Sequence, residues 1–309
     1  MERSYWGIKL LENEIISGDC LGFLRSTRER NFKIDLSFLD PPFNQGKDYR
    51  LNEDSIPDKE YWNFMQKVSR LIYNRTEEGG AIYFMQREKN SQEVLGILEK
   101  SGWKYQNLII WKKKTSAVPQ NGKYGLAYQI IAFATKGDRP RVFNKLRVNP
   151  PRLITEKYDR PSGMYVTDVW DDIRELTSGY FAGDEAIRVD NGERFHKQQS
   201  PIALLLRMIL SSTKINDLVF DPFAGTGTAL VVAKQLNRRF IGVELDPINV
   251  ETINQRLSSL RKADNVERYF EDYIYTENLN EIWGGTYKRS TNLEILSNLY
   301  AENLDTNKE

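Results

Sequence analysis

Residues 33–44 read Lys-Ile-Asp-Leu-Ser-Phe-Leu-Asp-Pro-Pro-Phe-Asn, a strand-length run that meets an acid, two prolines and an aromatic ring. Neither Pro41 nor Pro42 has an amide to give to a ladder, so a strand through Leu39 must stop there. The stop leaves an acceptor on Asp40, a rigid backbone and a flat face on Phe43. A strand end of this kind suits a planar ring that carries an amino group. Taken alone, the same residues also describe a strand stop with a core phenylalanine.

Around this stretch the chain alternates. Residues 14–18 read as a short strand, with Leu21, Phe23 and Leu24 opening a helix after it. Tyr61, Phe64, Met65, Val68, Leu71 and Ile72 fall at helical spacing between Asp58 and Asn74. Gly79-Gly80 reads as the close of that unit, before a strand over 81–85. Val94, Leu95, Ile97 and Leu98 mark a helix ended by Gly102, and strands follow at 108–111 and 129–134. From about 136 to 194, prolines and glycines interrupt any period. Order returns at Ser200-Pro201, with a helix through Ile202, Leu205, Leu206 and Ile209. A strand at 218–220, a glycine turn, a helix from Thr228 to Leu236 and a strand at 240–244 come next. Asp246-Pro247 then caps a helix with Val250, Ile253, Leu257 and Leu260 on one side. Alternation of this sort predicts an α/β fold, a doubly wound and mostly parallel sheet.

Charge and cysteine usage narrow the function classes. Among 309 residues, 40% are hydrophobic and 28% charged, with a formal net charge of +1, so any basic surface must be local. Residues 136–160 hold eight Lys/Arg against three Asp/Glu and stand out as that surface. The tail from Asp264 is acidic, with ten Asp/Glu against four Lys/Arg. One cysteine, Cys20, and one histidine, His196, argue against a disulfide framework and against a metal site. No apolar run approaches membrane-spanning length, and no signal peptide is visible; the chain is expected to be cytoplasmic, without a membrane partner.

A second motif names the kind of ligand. Asp221-Pro222-Phe223-Ala224-Gly225-Thr226-Gly227 lies between a strand and a helix, and Glu244 ends the next strand. Glycines at a helix start let a ligand approach the backbone, and an acid at the next strand end can accept both hydroxyls of a ribose. A dinucleotide site would want a third glycine where Leu230 stands. A P-loop would want Lys-Ser/Thr after Gly227. With no provision for pyrophosphate or triphosphate, a nucleoside without phosphate fits better, and S-adenosylmethionine is the common one.

These two motifs, in this order, resemble the amino-group DNA methyltransferases in the permuted arrangement called the beta class. In that family a catalytic Asp-Pro-Pro-Tyr/Phe comes first, then a target-recognition region, then a cofactor-binding Phe-x-Gly-x-Gly. Gly18-Asp19 resembles the family's strand-end acid near the cofactor adenine, and His196 to Pro201 resembles the stretch ahead of the cofactor turn. Lys197 and Ser200 depart from it, replacing a usual proline and lysine. The resemblance implies a Rossmann-like methyltransferase fold, circularly permuted, with an irregular inserted lobe. It divides the chain into a catalytic half (1–135), a target-recognition region (136–194), a cofactor-binding half (195–262) and an acidic extension (263–309). It implies Asp40, Pro41, Pro42 and Phe43 as catalytic. For S-adenosylmethionine it implies Asp19, Cys20, Asp40, Asp221, Phe223, Ala224, Gly225, Thr226, Gly227, Glu244 and Leu245.

The expected activity is methyl transfer to adenine N6 of a base flipped from double-stranded DNA, with cytosine N4 as the alternative, followed by an RNA adenine substrate or a catalytically silent nucleic-acid-binding subunit. The expected setting is a prokaryotic or phage restriction-modification system. A homodimer, a cognate restriction endonuclease and a place near the nucleoid go with that setting. Asp40 and the Pro41 carbonyl would accept the two amino hydrogens and turn the nitrogen lone pair toward the methyl group. Flipping costs a few kcal/mol, and stacking on Phe43 returns about 1–3 kcal/mol. Cytosine C5 chemistry would need a nucleophilic cysteine, and Cys20 sits in the wrong context for it. Trp111 could wall the base pocket, Lys112 to Lys114 could hold phosphates, and Asn44 to Tyr49 could close over the site as a polar loop.

Overall fold

Short apolar runs separated by 3.6-period segments build a three-layer sandwich. The computed structural model describes residues 12–27, 32–44, 48–49, 52–53, 56–115, 118–119, 122–149, 160–176, 183–188, 192, 195 and 199–284. The first half runs β1 (Glu14–Ser17), α1 (Cys20–Ser26), β2 (Ile34–Leu39), β3 (Asp48–Tyr49), β4 (Asn52–Glu53), α2 (Asp58–Arg75), β5 (Thr76–Arg87) and α3 (Ser91–Ser101). It continues with β6 (Lys104–Lys112), β7 (Tyr128–Thr135), β8 (Arg147–Val148), β9 (Met164–Tyr165) and β10 (Val169–Trp170). The last part holds α4 (Ile202–Ser212), β11 (Leu218–Asp221), α5 (Thr228–Gln235), β12 (Arg239–Glu244), α6 (Pro247–Ser258) and α7 (Leu279–Trp283).

Eight of these strands form one sheet in the order β1-β12-β11-β2-β5-β7-β6-β10. All neighbours are parallel except β7, which runs antiparallel to both β5 and β6. Side chains alternate between two buried faces. Leu36, Phe38, Tyr83, Phe133 and Val219 pack under α4 and α5. Ile82, Phe84, Ile130, Phe220 and Ile241 pack against α1, α2 and α3. Each fully buried Leu, Ile or Phe contributes about 1.5–3 kcal/mol, so the two-sided sheet supplies most of the driving force.

The permuted order is visible in the pairing. β1 lies parallel to β12, with Glu14 opposite Ile241 and Ser17 opposite Glu244, where a strand following α6 would otherwise go. β1 thus forms one edge of the sheet, next to the strand that precedes α6. From β2 it winds outward to β5, while β11 winds the other way through β12, so the β2–β11 seam is the switch point.

Several sequence expectations need correction. Gly79-Gly80 lies inside β5 rather than before it; Gly79 has φ +73°, and a Cβ there would stand 2.6 Å from the Arg141 amide. Only glycine lets the 136–141 backbone close on that strand. α6 ends at Ser258, leaving Leu260 exposed beyond it. The described part of the acidic extension docks on the domain: Val266, Phe270, Tyr273, Leu279 and Trp283 are buried in the α4 and α5 side of the core. Among the described residues, no helix is long and apolar enough to cross a membrane.

Candidate active site

Parallel strands bring their carboxyl ends to one edge, and the β2–β11 pairing sets two of them side by side. Asp40 leaves β2 at that seam, and the turn 222–227 leaves β11 beside it. One strand further, Glu244 ends β12, and the Gly18 amide bonds its carbonyl at 2.9 Å. The separated motifs of the sequence therefore meet along one edge.

Asp40 Oδ2 accepts a hydrogen bond from Ser200 Oγ at 2.9 Å. Pro41 and Phe43 are buried; Phe43 is only 8% exposed, so its ring is covered rather than presented as an open stacking face. A base that stacks there must first uncover it. Asn44 takes φ +54° and turns the chain away from the motif. Its side chain donates to Ile56 O at 2.8 Å and Asp58 Oδ1 at 3.1 Å, and accepts the Ile56 amide at 2.9 Å. This latch ties the start of the loop expected to cover the site, Asn44 to Tyr49, to the entry of α2. Residues 45–47 of that loop lie outside the described residues.

In the glycine turn, Gly225 and Gly227 have φ +53° and +77°, and a Cβ on Gly227 would sit 2.8 Å from Ile253. Glu244 Oε2 accepts the Gly225 amide at 2.8 Å; Oε1 accepts the Asp246 amide at 2.9 Å and Asn249 Nδ2 at 3.1 Å. Burial raises the Glu244 carboxyl despite those three donors. Behind the turn, Arg256 Nη1 donates to Thr226 O at 2.5 Å and also bonds Asp264, whose side chain is completely buried. Phe223 is half-buried against Phe64 of α2, and Ala224 is fixed by its amide to Val243 O at 3.0 Å.

Asp221 is buried at the root of the turn and accepts the Phe223 amide at 3.1 Å. Burial, and then the charges of Asp40 and Glu244, push its carboxyl well above the ordinary range. The carboxylates of Asp221, Asp40 and Glu244 thus lie close enough to act on one another. A cationic ligand relieves this arrangement, and the sulfonium and ammonium of S-adenosylmethionine fit it.

The other expected cofactor residues are placed as follows. Asp19 caps α1, its Oδ2 accepting the Gly22 amide at 2.6 Å, so half of that carboxylate serves the helix. Cys20 is buried, and burial followed by the Asp19 charge raises its thiol to about 12, which excludes a nucleophilic thiolate. Leu245 is exposed beside Glu244. His196 to Gln198 lie outside the described residues.

The basic stretch 136–160 is partly structural. Lys136 donates to Tyr73 O and Thr76 O, and Arg141 bridges Asp35 and Asp217 at 2.5 and 2.7 Å. Both follow the end of β7, which is antiparallel, and so sit on the edge opposite Asp40. Trp111 is buried, and its Nε1 donates to Ile173 O at 2.9 Å. The lysines expected to hold phosphates open the β6–β7 connection, and sequence reasoning missed only how far that surface extends, to Lys123 and Tyr124. Lys112, Lys114 and Lys123 are exposed there, and Tyr124 is 96% exposed. At ~4.8 Å per strand, β6 stands about 14 Å from β2 on the same edge. Its signal was available: no Asp or Glu occurs between Glu99 and Asp138.

The N6_N4_Mtase family model, described as DNA methylase, matches residues 34–255, from the first residue of β2 into α6. The chain belongs to this DNA methylase family. Among curated relatives, Type II methyltransferase M.HinfI of Haemophilus influenzae is 30% identical over 270 residues, 82% of this chain and 70% of the relative. Type II methyltransferase M.HpaI of Haemophilus parainfluenzae is 28% identical over 249 residues, 81% of this chain and 75% of the relative. Among solved structures, an M1.HpyAVI–SAM complex aligns with TM-score 0.54 at 23% identity, covering 80% of this chain and 99% of that one. At that identity the last likeness speaks for the fold alone. The matched DNA methylase segment contains both Asp40-Pro41-Pro42-Phe43 and the glycine turn with Glu244.

Proposed function

We propose that this DNA methylase transfers a methyl group from S-adenosylmethionine to N6 of adenine at a specific site in double-stranded DNA. The observation that carries the reading is the β2–β11 pairing, which sets Asp40 beside the glycine turn and Glu244. S-adenosylmethionine supplies an electrophilic methyl on a positively charged sulfur. The chain supplies the rest. Glu244 and the glycine turn are the residues that would hold the nucleoside, and Asp40 would face its positive charge, with Asp221 buried behind the turn. Asp40 and the Pro41 carbonyl accept the amino hydrogens of the flipped base, which directs the nitrogen lone pair and supplies rate by positioning. Phe43, once uncovered, stacks the ring. The lysines of the β6–β7 connection take phosphates of the duplex.

Adenine is favoured over cytosine by Asp40 at the head of the motif, where the resemblance gives serine to cytosine enzymes. The same reading includes a cognate endonuclease for the same site, a homodimer, and a cytoplasmic, nucleoid-associated place in a prokaryotic or phage host. The test is transfer of labelled methyl to duplex DNA, followed by nucleoside digestion. Label is expected on N6-methyladenine; label on N4-methylcytosine overturns the adenine choice. Asp40→Ala is expected to abolish transfer while calorimetry still detects S-adenosylmethionine binding.

A further inference from the structure

The segment that enters α4 is held more tightly than its sequence suggests. Pro201 offers no capping side chain, and the amide of Ile202 is instead taken by the carboxylate of Glu185, from a different part of the chain. Gln199 fixes the same junction from the other side. Its Nε2 donates to Glu185 O at 3.1 Å and its Oε1 accepts the Ile187 amide at 3.0 Å. Arg261 adds a donor to Glu185 O at 2.9 Å. Glu185 and Gln199 are both buried. Between these anchored residues stands Ser200, whose hydroxyl reaches Asp40 Oδ2 at 2.9 Å across 160 positions of sequence.

We propose that Ser200 is a positioning residue for methyl transfer, holding the plane of the Asp40 carboxylate in the orientation that meets the amino group of the base. The inference rests on the reading of Asp40 as the amino-group acceptor. A carboxylate at a strand end rotates about two side-chain bonds, and only part of that range lets an oxygen face the amino hydrogens. A donor on one oxygen selects among those rotations before the base arrives, so the ordering is not demanded during reaction. The hydroxyl is neutral, so it orients Asp40 without cancelling the charge that makes it a good acceptor. The anchoring by Glu185 and Gln199 gives the hydroxyl a fixed position from which to act. Ser200 stands where the resemblance gives lysine, and its contact is with the catalytic acid.

The experiment compares the full-length parent with Ser200→Ala, Ser200→Thr and Asp40→Ala in steady-state methylation of duplex DNA between pH 5 and 9. Hydrogen bonds to charged groups being among the stronger ones, Ser200→Ala is expected to lower kcat about 10- to 100-fold. The KM values for DNA and S-adenosylmethionine should stay within about threefold, because the hydroxyl is placed against Asp40 and not against either substrate. Loss of a donor to the ionised form should also move the acid limb of the kcat profile to higher pH. Ser200→Thr, which keeps a hydroxyl, should restore most of kcat and return the limb. An unchanged kcat in Ser200→Ala overturns the proposal. So does an equal loss in Ser200→Thr with an unmoved acid limb, or a raised KM for S-adenosylmethionine at constant kcat. If Asp40→Ala retains full activity, the reading of the site fails. If Asp40→Ala is inactive and Ser200→Ala is normal, only the positioning role fails.

Discussion

Glu244 Oε2 holds the Gly225 amide at 2.8 Å, so the acid that ends β12 also fixes the turn that leaves β11. One side chain therefore shapes the cofactor turn and faces the ligand expected on it. Replacing it by glutamine keeps a single acceptor oxygen for three protein donors and removes the charge. Hydrogen bonds to charged groups contribute about 1.5–3 kcal/mol each. We expect Glu244→Gln to weaken S-adenosylmethionine binding about 10- to 100-fold by calorimetry, and Glu244→Ala to weaken it further. Affinity equal to the parent's in Glu244→Ala would remove this acid from the site.

The carboxylate cluster makes a prediction about pH. Asp221 is buried with its carboxyl pushed well above the ordinary 3.8, first by burial and then by Asp40 and Glu244. A carboxyl raised in the folded state binds its proton more tightly there than in the unfolded chain. Its favourable contribution is complete below the unfolded value and is lost as pH rises through the folded value. Asp221→Asn, which keeps the shape and cannot ionise, should therefore melt above the cofactor-free parent at pH 8 and match it near pH 4. Thermal melts across that range check the sign. A parent that melts higher at pH 8 would mean that ionised Asp221 is favoured by partners in the folded state.

The buried pair behind the glycine turn predicts a stability defect of a different kind. Asp264 is fully buried, and although burial alone would raise its carboxyl, bonds from Arg261 and Arg256 hold it below the ordinary range. Removing Arg256 leaves Asp264 with Arg261 alone and frees the Thr226 carbonyl. Breaking a buried pair from one side costs about 3–5 kcal/mol when the remaining charge is left uncompensated, and Arg261 keeps the loss here at or below the low end of that range. Arg256→Met should lose about 3 kcal/mol or less in urea unfolding, and the double change Arg256→Met with Asp264→Leu should recover part of it. If the double variant is no more stable than the single one, the loss comes from the Thr226 contact instead.

How much of this was legible in the sequence differed by element. Strands β2, β11 and β12 declared themselves because each combines an apolar run with a functional residue at its end, and periodicity found α2 and α4. The permuted closure also followed, since a strand at 14–18 had nowhere to go except beside β12. The Arg256–Asp264 pair was hidden, because two charges eight positions apart look like solvated surface until a helix end folds them inward. The Ser200–Asp40 bond was hidden for another reason. A serine beside a proline reads as a local cap, and its actual partner lies 160 residues away. Charge counting misled at Lys136 and Arg141, since a count says nothing about which edge of the sheet a strand leaves from.

That last error yields a prediction about DNA. Arg141 bridges Asp35 and Asp217 on the edge opposite Asp40, whereas Lys112, Lys114 and Lys123 are exposed on the edge that holds it. Each phosphate contact made by a lysine releases a counterion, and the slope of log affinity against log salt falls by about 0.9 per contact on duplex DNA. Changing Lys112, Lys114 and Lys123 together to alanine should reduce that slope by about 2–3 and weaken binding across all sequences, with the melting temperature unchanged. Arg141→Ala should do the reverse, lowering the melting temperature while leaving the salt slope intact, because it strands two carboxylates and touches no phosphate. Fluorescence anisotropy with a labelled duplex between 50 and 300 mM salt, paired with thermal melts, separates the two. A slope that drops with Arg141→Ala and holds in the triple variant would put the duplex on the other edge of the sheet and detach it from Asp40.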